Sequence, residues 1–428
     1  ETNQGDHPMG EAEFKSNGMA VAVIDAVGAI AGSSGNEMRL VTPGGRYQVR
    51  WDEGGSATVM GQLAFFAEFL EVSGLFERWV TDCPLAYTRP NAPQTRDVLG
   101  TWLLSILDGQ WRYAHLTGLR GDRVAPGILG MTRIVSDESL RRGLKPLAPA
   151  LDRGPEGERP AREAQLAKTT AWMDSALAES TREALGVGWI LDIDTTLKRL
   201  YGHQDGAEVS YNPTKPGRPS HVIHTDWIAN VRLVLDAEVQ AGRAHAARHS
   251  LLRLIVLLKA LPVEQRPRLV RGDMAFGVHP AMRELEDMGQ AYLFKLKQSA
   301  GVKRLIERLW RDTDWQDLGD GYHAAEARLK LTGWEPERRV VVVRRAVKQS
   351  LAVEAKPEGK RRGQQSLHFA NVDAGKLWEY AVLVTNSDYP LTAIGQLYRD
   401  RADCENGFDD LKNPWGWGGY TTQDLERC

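Results

Sequence analysis

Tyr398-Arg399-Asp400-Arg401-Ala402-Asp403-Cys404-Glu405-Asn406-Gly407-Phe408-Asp409-Asp410-Leu411-Lys412 is the most informative run in this chain. Within it Tyr398, Arg401, Glu405 and Lys412 follow the spacing Y-x2-R-x3-E-x6-K. A helix turns by about 100° per residue, so these four side chains fall within a sector of roughly 60°. One face then carries a carboxylate flanked by two cations and a phenol, a surface suited to a metal ion beside a phosphate backbone. Taken without its neighbours, the pattern is also that of a solvated face held by i,i+4 pairs such as Arg401 with Glu405. The surrounding sequence decides between the two.

Upstream, Trp189-Ile190-Leu191-Asp192-Ile193-Asp194 is a short apolar strand ending in acids. Residues 207–211 and 231–239 read as a second and third strand, and 249–261 as a strongly apolar helix. Residues 268–271 read as a buried strand ending at Gly272-Asp273, 280–288 as a helix and 291–297 as another strand. Three strands, a helix, a strand with an acid at its end, then a helix and a strand are the order of a ribonuclease-H-like α/β core. Residues 322–348, with Val340-Val341-Val342-Val343, and 351–369 supply a β-rich insertion at about 300–376. Residues 378–384 resume the core, and 391–412 close it as one long helix.

The run at 398–412, followed by Lys412-Asn413-Pro414-Trp415-Gly416-Trp417-Gly418-Gly419, resembles the signature helix of DDE transposases from bacterial insertion sequences. The match is to the branch with a β-rich insertion before the last acid, and it extends over roughly residues 95–428. Three acids take the places of the family's catalytic acids. They are Asp194, followed by Thr195-Thr196; Asp273, in Arg271-Gly272-Asp273-Met274-Ala275-Phe276; and Glu405. The 131 residues between Asp273 and Glu405 leave room for the insertion. The resemblance implies Mg-dependent hydrolysis at the element's ends, then strand transfer in cut-and-paste transposition. Its implied cofactor is two Mg ions, with Mn able to substitute, held by Asp194, Asp273 and Glu405. Its implied partners are double-stranded DNA of transposon ends and target, with a homodimer assembled on that DNA in the bacterial cytoplasm and nucleoid. Tyr398, Arg401 and Lys412 would bind the phosphates next to the scissile bond.

The chemistry of the residues is consistent with this. Mg²⁺ prefers oxygen ligands, and two-ion phosphodiester chemistry needs carboxylates converging from separate elements. Asp192 is the alternative first ligand, because period-two alternation puts it on the same face as Asp194. Two rivals share the fold: a nuclease that cuts without joining, and a truncated relic that only binds DNA.

Residues 338–362 concentrate positive charge: Arg338, Arg339, Arg344, Arg345, Lys348, Lys356, Lys360, Arg361 and Arg362 against Glu354 and Glu358. The run reads as a phosphate-binding surface or as an ordinary solvated strand pair. Lys215 and Arg218, in the loop Tyr211-Asn212-Pro213-Thr214-Lys215-Pro216-Gly217-Arg218-Pro219-Ser220, are further DNA candidates. Trp334 is a candidate for stacking on a flipped base, with core packing the better reading. His203, His221, His224, His245 and His249 show no metal-ligand pattern and read as surface or hydrogen-bonded residues.

A formal net charge of −2 excludes a simple basic nucleic-acid coat, and no apolar run reaches the 18–20 residues that span a bilayer. Cys83, Cys404 and Cys428 show neither metal nor disulfide spacing, as expected of a reducing compartment. Residues 1–36 read as a loosely ordered lead and 37–150 as a mainly helical domain, a candidate for recognising DNA ends. In it Ser136 is set to cap a helix, giving either a helix-turn-helix with residues 125–129 or a plain bundle. Residues 151–184 form a linker and connecting helix, and 185–428 the catalytic domain. Family members run on past the Gly-rich segment, so the C-terminus is expected to be truncated.

Overall fold

The computed structural model describes residues 37–50, 58–87, 90–151, 154–186, 188–210, 212, 215–229, 231–244, 246–312, 314–347, 369–370, 377–417, 419 and 422–428. The lead at 1–36, His245, and Lys348, Lys356, Lys360, Arg361 and Arg362 of the basic run lie outside the described residues.

β1 (Glu37–Thr42) and β2 (Gly45–Arg50) form an antiparallel hairpin. Sequence alternation identifies only the second strand, because Val41 interrupts the pattern of Met38, Leu40 and Thr42 in the first. Helices α1 (Leu63–Ser73), α2 (Leu75–Thr81), α3 (Thr95–Leu107), α4 (Leu116–Leu119), α5 (Ala125–Ile128) and α6 (Asp137–Leu144) follow. Apolar residues recur at helical spacing from Thr58 to Val80, Leu63, Phe66, Leu70 and Phe76 among them, and the stretch forms two helices. Gly74, at φ 65°, ends α1 and starts α2 in the left-handed conformation that suits glycine. Ser136 caps α6 as expected, accepting from Ser139 N at 3.2 Å. With α5 a single turn long, the unit is a bundle around Leu70, Phe76, Val98, Leu104, Leu116 and Leu140. α7 (Arg159–Thr181) fastens onto it through Trp172, whose ring stacks on Trp79 at 5.5 Å and whose Nε1 donates to Trp79 O. α7 also packs on the edge strand β6 of the sheet that follows.

That sheet runs through β3 (Ile190–Arg199), β4 (Glu208–Val209), β5 (Pro219–Ile228) and β6 (Leu233–Ala241), then α8 (Ala246–Ala260) and β7 (Leu269–Gly272). It continues through α9 (His279–Asp287), β8 (Tyr292–Lys295), α10 (Ala300–Asp312), β9 (Gln316–Gly319), β10 (Tyr322–Leu329) and β11 (Arg338–Val347). β12 (Phe369–Ala370), β13 (Leu377–Thr385), α11 (Leu391–Arg399) and α12 (Ala402–Lys412) complete it. β6, β5 and β3 are successively antiparallel, and β3, β7 and β8 successively parallel. This order, β6-β5-β3-β7-β8, makes the domain a ribonuclease-H-like α/β fold. α8, α9 and α10 cover one face through residues such as Leu254, Leu258, Met282, Leu285, Val302 and Ile306. α11 covers the other, with Ile394 against Leu269, Leu293, Val341 and Leu383.

Two details differ from the sequence reading. The second strand is chiefly β5, with only Glu208 and Val209 pairing beside it. β5 is buried on both faces, so His221, His224, Thr225 and Asp226 break the alternation that marks a half-exposed strand. His221 meets Asp205 O at 2.7 Å, and His224 meets Ser250. β3 also does not end at its acids but runs on to Arg199, with Asp194 opposite Thr225 of β5. In the insertion, β9, β10 and β11 attach to β13, and β13 pairs antiparallel with β8, so the core sheet simply continues.

The basic run is largely used internally. Arg338 is 4% exposed, makes two 2.7 Å bonds to Glu286 and lies over Trp334. Arg339 donates to Ser387 O, Tyr389 O and Glu326. Arg344 sits between Trp315 and Trp378, at 4.1 and 4.4 Å, where burial lowers its pKa. Arg345 meets Tyr322 and Glu379 at the surface. The expectation that these four bind DNA phosphates is therefore corrected for Arg338, Arg339 and Arg344, whose donors face protein acceptors and rings. Trp334 is buried in the core, as its packing reading anticipated.

On the α8 side, Asp226 stands across from Asp236 in the β5–β6 register. Burial, reinforced by Asp236 and Glu238 and opposed by Arg253, pushes its carboxyl up to about 8. The folded chain then holds a proton that the unfolded chain releases near pH 4, so stability falls as pH rises between about 4 and 8. Asp226→Asn should flatten that slope and raise stability at pH 8 by at least ~1 kcal/mol. Urea midpoints at pH 5 and pH 8 measure it; parallel profiles for the two proteins would remove Asp226 as the source.

Candidate active site

β3 enters the sheet centre as an apolar strand and carries Asp192 and Asp194 toward the face covered by α11 and α12. The structure separates the two acids. Asp192 is held by Arg271 of β7 in a two-bond ion pair of 2.6 and 2.7 Å, with both side chains no more than 3% exposed. The same guanidinium donates to Leu397 O, which ties β3, β7 and α11 together. Asp192 thus has a structural partner, and Asp194 is the acid left facing the closing helices. In the sequence Arg271 is one residue of an Arg-Gly-Asp block, and spacing does not reveal its buried mate 79 residues away.

Asp194 is half-buried. Its Oδ1 accepts from Thr195 N at 2.8 Å, and its Oδ2 meets Arg401 Nη2 at 2.9 Å. Burial raises its pKa; Arg401 opposes this, and the charges of Asp273 and Glu405 add to the rise. Asp273 follows the end of β7 in a tight turn, where its Oδ1 accepts from Ala275 N at 2.8 Å. Glu405 is exposed in the first turn of α12. Tyr398 is pushed up to about 12, by burial first, with Asp273, Asp194 and Glu405 reinforcing and Arg401 opposing. The side chains named from sequence thus share one electrostatic neighbourhood. Among the described residues, no three His, Cys, Asp or Glu side chains stand close enough in this conformation to hold a metal ion.

The expected single helix is tightened at Asp400 and Arg401. Arg401 N, Asp403 N and Cys404 N bond three residues back, to Tyr398 O, Asp400 O and Arg401 O. A 3₁₀-like step advances each residue by about 120°. It turns Arg401 inward, where the residue is 7% exposed and also donates to Ile193 O. Its Nε has no partner among the described residues. Arg401 is therefore placed to hold Asp194 and the β3 backbone. Lys412, at the far end of α12, donates to Thr196 of β3, and burial lowers its pKa while Asp194 raises it. α12 is seated by Cys404 and Phe408 against Trp227, and a Cβ on Gly407 would come 2.9 Å from that ring.

Lys215 and Arg218 lie at the turn before β5, exposed, with their charges 5.9 and 4.8 Å from the Tyr201 ring centre. They are apart from the acids but remain open to solvent.

Fold and site together define a ribonuclease-H-like domain with acids within β3, just after β7 and on its closing helix. The family model described as transposase DDE domain matches residues 186–424, more than half of the sequence, and the chain belongs to that family. Among solved structures it is similar to piggyBac transposase in a synaptic complex with hairpin DNA, at 12% identity over 79% of this chain and 65% of that one, with a TM-score of 0.43. It is also similar to Mos1 transposase in a paired-end complex with the left transposon end, at 12% identity over 61% and 83% of the two chains and a TM-score of 0.18. The chain therefore spans 65% of the length of the piggyBac chain. A comparison with curated proteins gives no match. No helix among the described residues is long and apolar enough to cross a membrane.

Proposed function

We propose that this chain is a DNA transposase of the bacterial insertion-sequence branch, which cuts at its element's ends and joins the freed end to target DNA. The observation that carries this reading is the placement of Asp194, with Arg401 on one oxygen and the charges of Asp273 and Glu405 reaching it from two other elements. The donor chemistry fits the implied cofactor: three carboxylates suit a hard divalent ion such as Mg²⁺, or Mn²⁺ in its place. Asp194, Asp273 and Glu405 would hold two such ions. When bound, the ions supply positive charge to the attacking and leaving oxygens of the phosphodiester and acidify water.

The rest is work for the chain's own side chains. Arg401 offsets the charge of half-buried Asp194 and fixes the middle of β3 against the closing helices. Lys412 places a cation beside Thr196, next to the first acid, where it can meet a DNA phosphate. Tyr398, held neutral by its raised pKa, offers a hydroxyl and a ring to the terminal nucleotide. Lys215 and Arg218 extend the cationic edge as phosphate contacts. The partner is double-stranded DNA, at transposon ends and target, with two copies of the chain assembled on it in the bacterial cytoplasm. The bundle at 37–150 recognises the ends, and 185–428 carries out the chemistry.

The test uses DNA from either side of the gene as substrate, with Mg²⁺ or Mn²⁺. The reading expects end cleavage followed by joining to a target plasmid. Cleavage without joining would reduce the protein to a nuclease of this fold. Binding without cleavage would make it a DNA-binding relic.

A further inference from the structure

An open groove of about 510 Å³ lies where the end of α6 and the loop after it, the turn leading into α7 and the C-terminal segment meet. None of the acids of the candidate site lines it. Its charged lining is Arg142, Lys145, Arg162, Arg427 and Asp424, four cations against one acid, or +4 − 1 = +3. The whole chain has a formal net charge of −2. The concentration of charge is therefore local, and it is assembled from three separate segments.

The cations differ in how far the protein uses them. Arg427 donates to Ala148 O at 2.7 Å and binds Asp424, so it ties the C-terminal segment to the helical unit. Arg162 donates to Pro155 O and approaches Glu158 at 3.6 Å, while its buried Nε has no partner among the described residues. Arg142 reaches Glu138 from a side chain that is 73% exposed. Lys145 is exposed and makes no ion pair among the described residues. Guanidinium groups match phosphate oxygens in geometry, and an ammonium serves as a point charge. Several cations in an open trough suit a chain of regularly spaced monoanions better than a single enclosed anion.

We propose that this groove binds the sugar-phosphate backbone of duplex DNA, as a second contact outside the candidate active site; the proposal deepens the transposase reading and rests on it. Asp205 N also bonds Gln423 O at 2.9 Å, so the segment that forms one wall is anchored in the catalytic domain as well. Backbone seated here touches both units at their junction.

The experiment measures binding of a fluorescent 30-bp duplex by the full chain over a series of salt concentrations. The variants are Lys145→Ala, Lys145→Glu and Arg142→Ala with Lys145→Ala, at exposed positions outside the active site, with thermal unfolding as the folding control. The double alanine variant is expected to weaken binding roughly tenfold and to flatten the log–log salt slope by about 1.8, or ~0.9 per lost contact. Lys145→Glu should weaken binding more than Lys145→Ala. An unchanged slope in folded variants overturns the groove, as does wild-type protein that does not bind duplex at all. Calorimetry with inorganic tripolyphosphate separates the sources: variants that lose tripolyphosphate but keep the wild-type DNA slope make the site one for small anions and overturn the DNA assignment. Metal-dependent cleavage by wild-type protein is scored in parallel. If the groove variants flatten the slope but wild-type protein does not cut, the groove stands and the transposase reading fails.

Discussion

Arg271→Ala is expected to destabilise the chain by about 3–5 kcal/mol, the cost of leaving a buried charge without its partner. Asp192 loses both short bonds of a pair in which neither side chain is more than 3% exposed, and Leu397 O of α11 loses its donor from β7. Burial already raises the Asp192 pKa, with Arg271 the main opposing influence, so without Arg271 the carboxyl takes up a proton more readily. The double change Asp192→Leu with Arg271→Met removes both charges and should recover much of the loss, because paired burial of charge is itself costly. Urea denaturation of the two variants measures this. A single variant within about 0.5 kcal/mol of wild type would show that the pair does not hold β3 to β7.

Glu405→Gln should lower end cleavage at least a thousandfold, about 4 kcal/mol of transition-state stabilisation, and leave duplex affinity nearly unchanged. Glu405 is exposed, so the replacement, close to it in size, has little folding cost. The carboxylate's charge is what a divalent ion requires, and the amide lacks it. Cleavage at the wild-type rate would make α12 a structural helix.

The closing helix was legible because four chemically distinct side chains share one face, and Asp273 because it follows an apolar strand; the strand that carries Asp194 runs on to Arg199, since Thr195 to Arg199 still pair with β5. What the sequence left open depended on partners far along the chain. Asp192 and Asp194 alternate identically; only Arg271, 79 residues from Asp192, distinguishes them. β5 escaped notice because a strand buried on both faces can carry polar residues that find partners: His221 meets Asp205 O of a loop, His224 meets Ser250 of α8, and Asp226 stands across from Asp236. Arg338, Arg339 and Arg344 looked like a phosphate surface because sequence reports charge but not direction; Glu286, two backbone carbonyls and two tryptophans receive them instead. Arg401 belongs to the legible face, yet the tightened turn at Asp400 directs it onto Asp194. The trough beside α6 had no sequence signature, since its cations come from residues 142, 145, 162 and 427.

The central claim is that Asp194, Asp273 and Glu405 form one metal-binding site, and locating the metal tests it most directly. Crystals of the full chain with a cleaved end duplex and Mn²⁺, measured for the anomalous signal of manganese, should show density between Asp194 and the other two carboxylates, with Arg401 moved off Asp194 Oδ2. Manganese bound elsewhere, or Arg401 still on Asp194 with no ion beside the three acids, would contradict it.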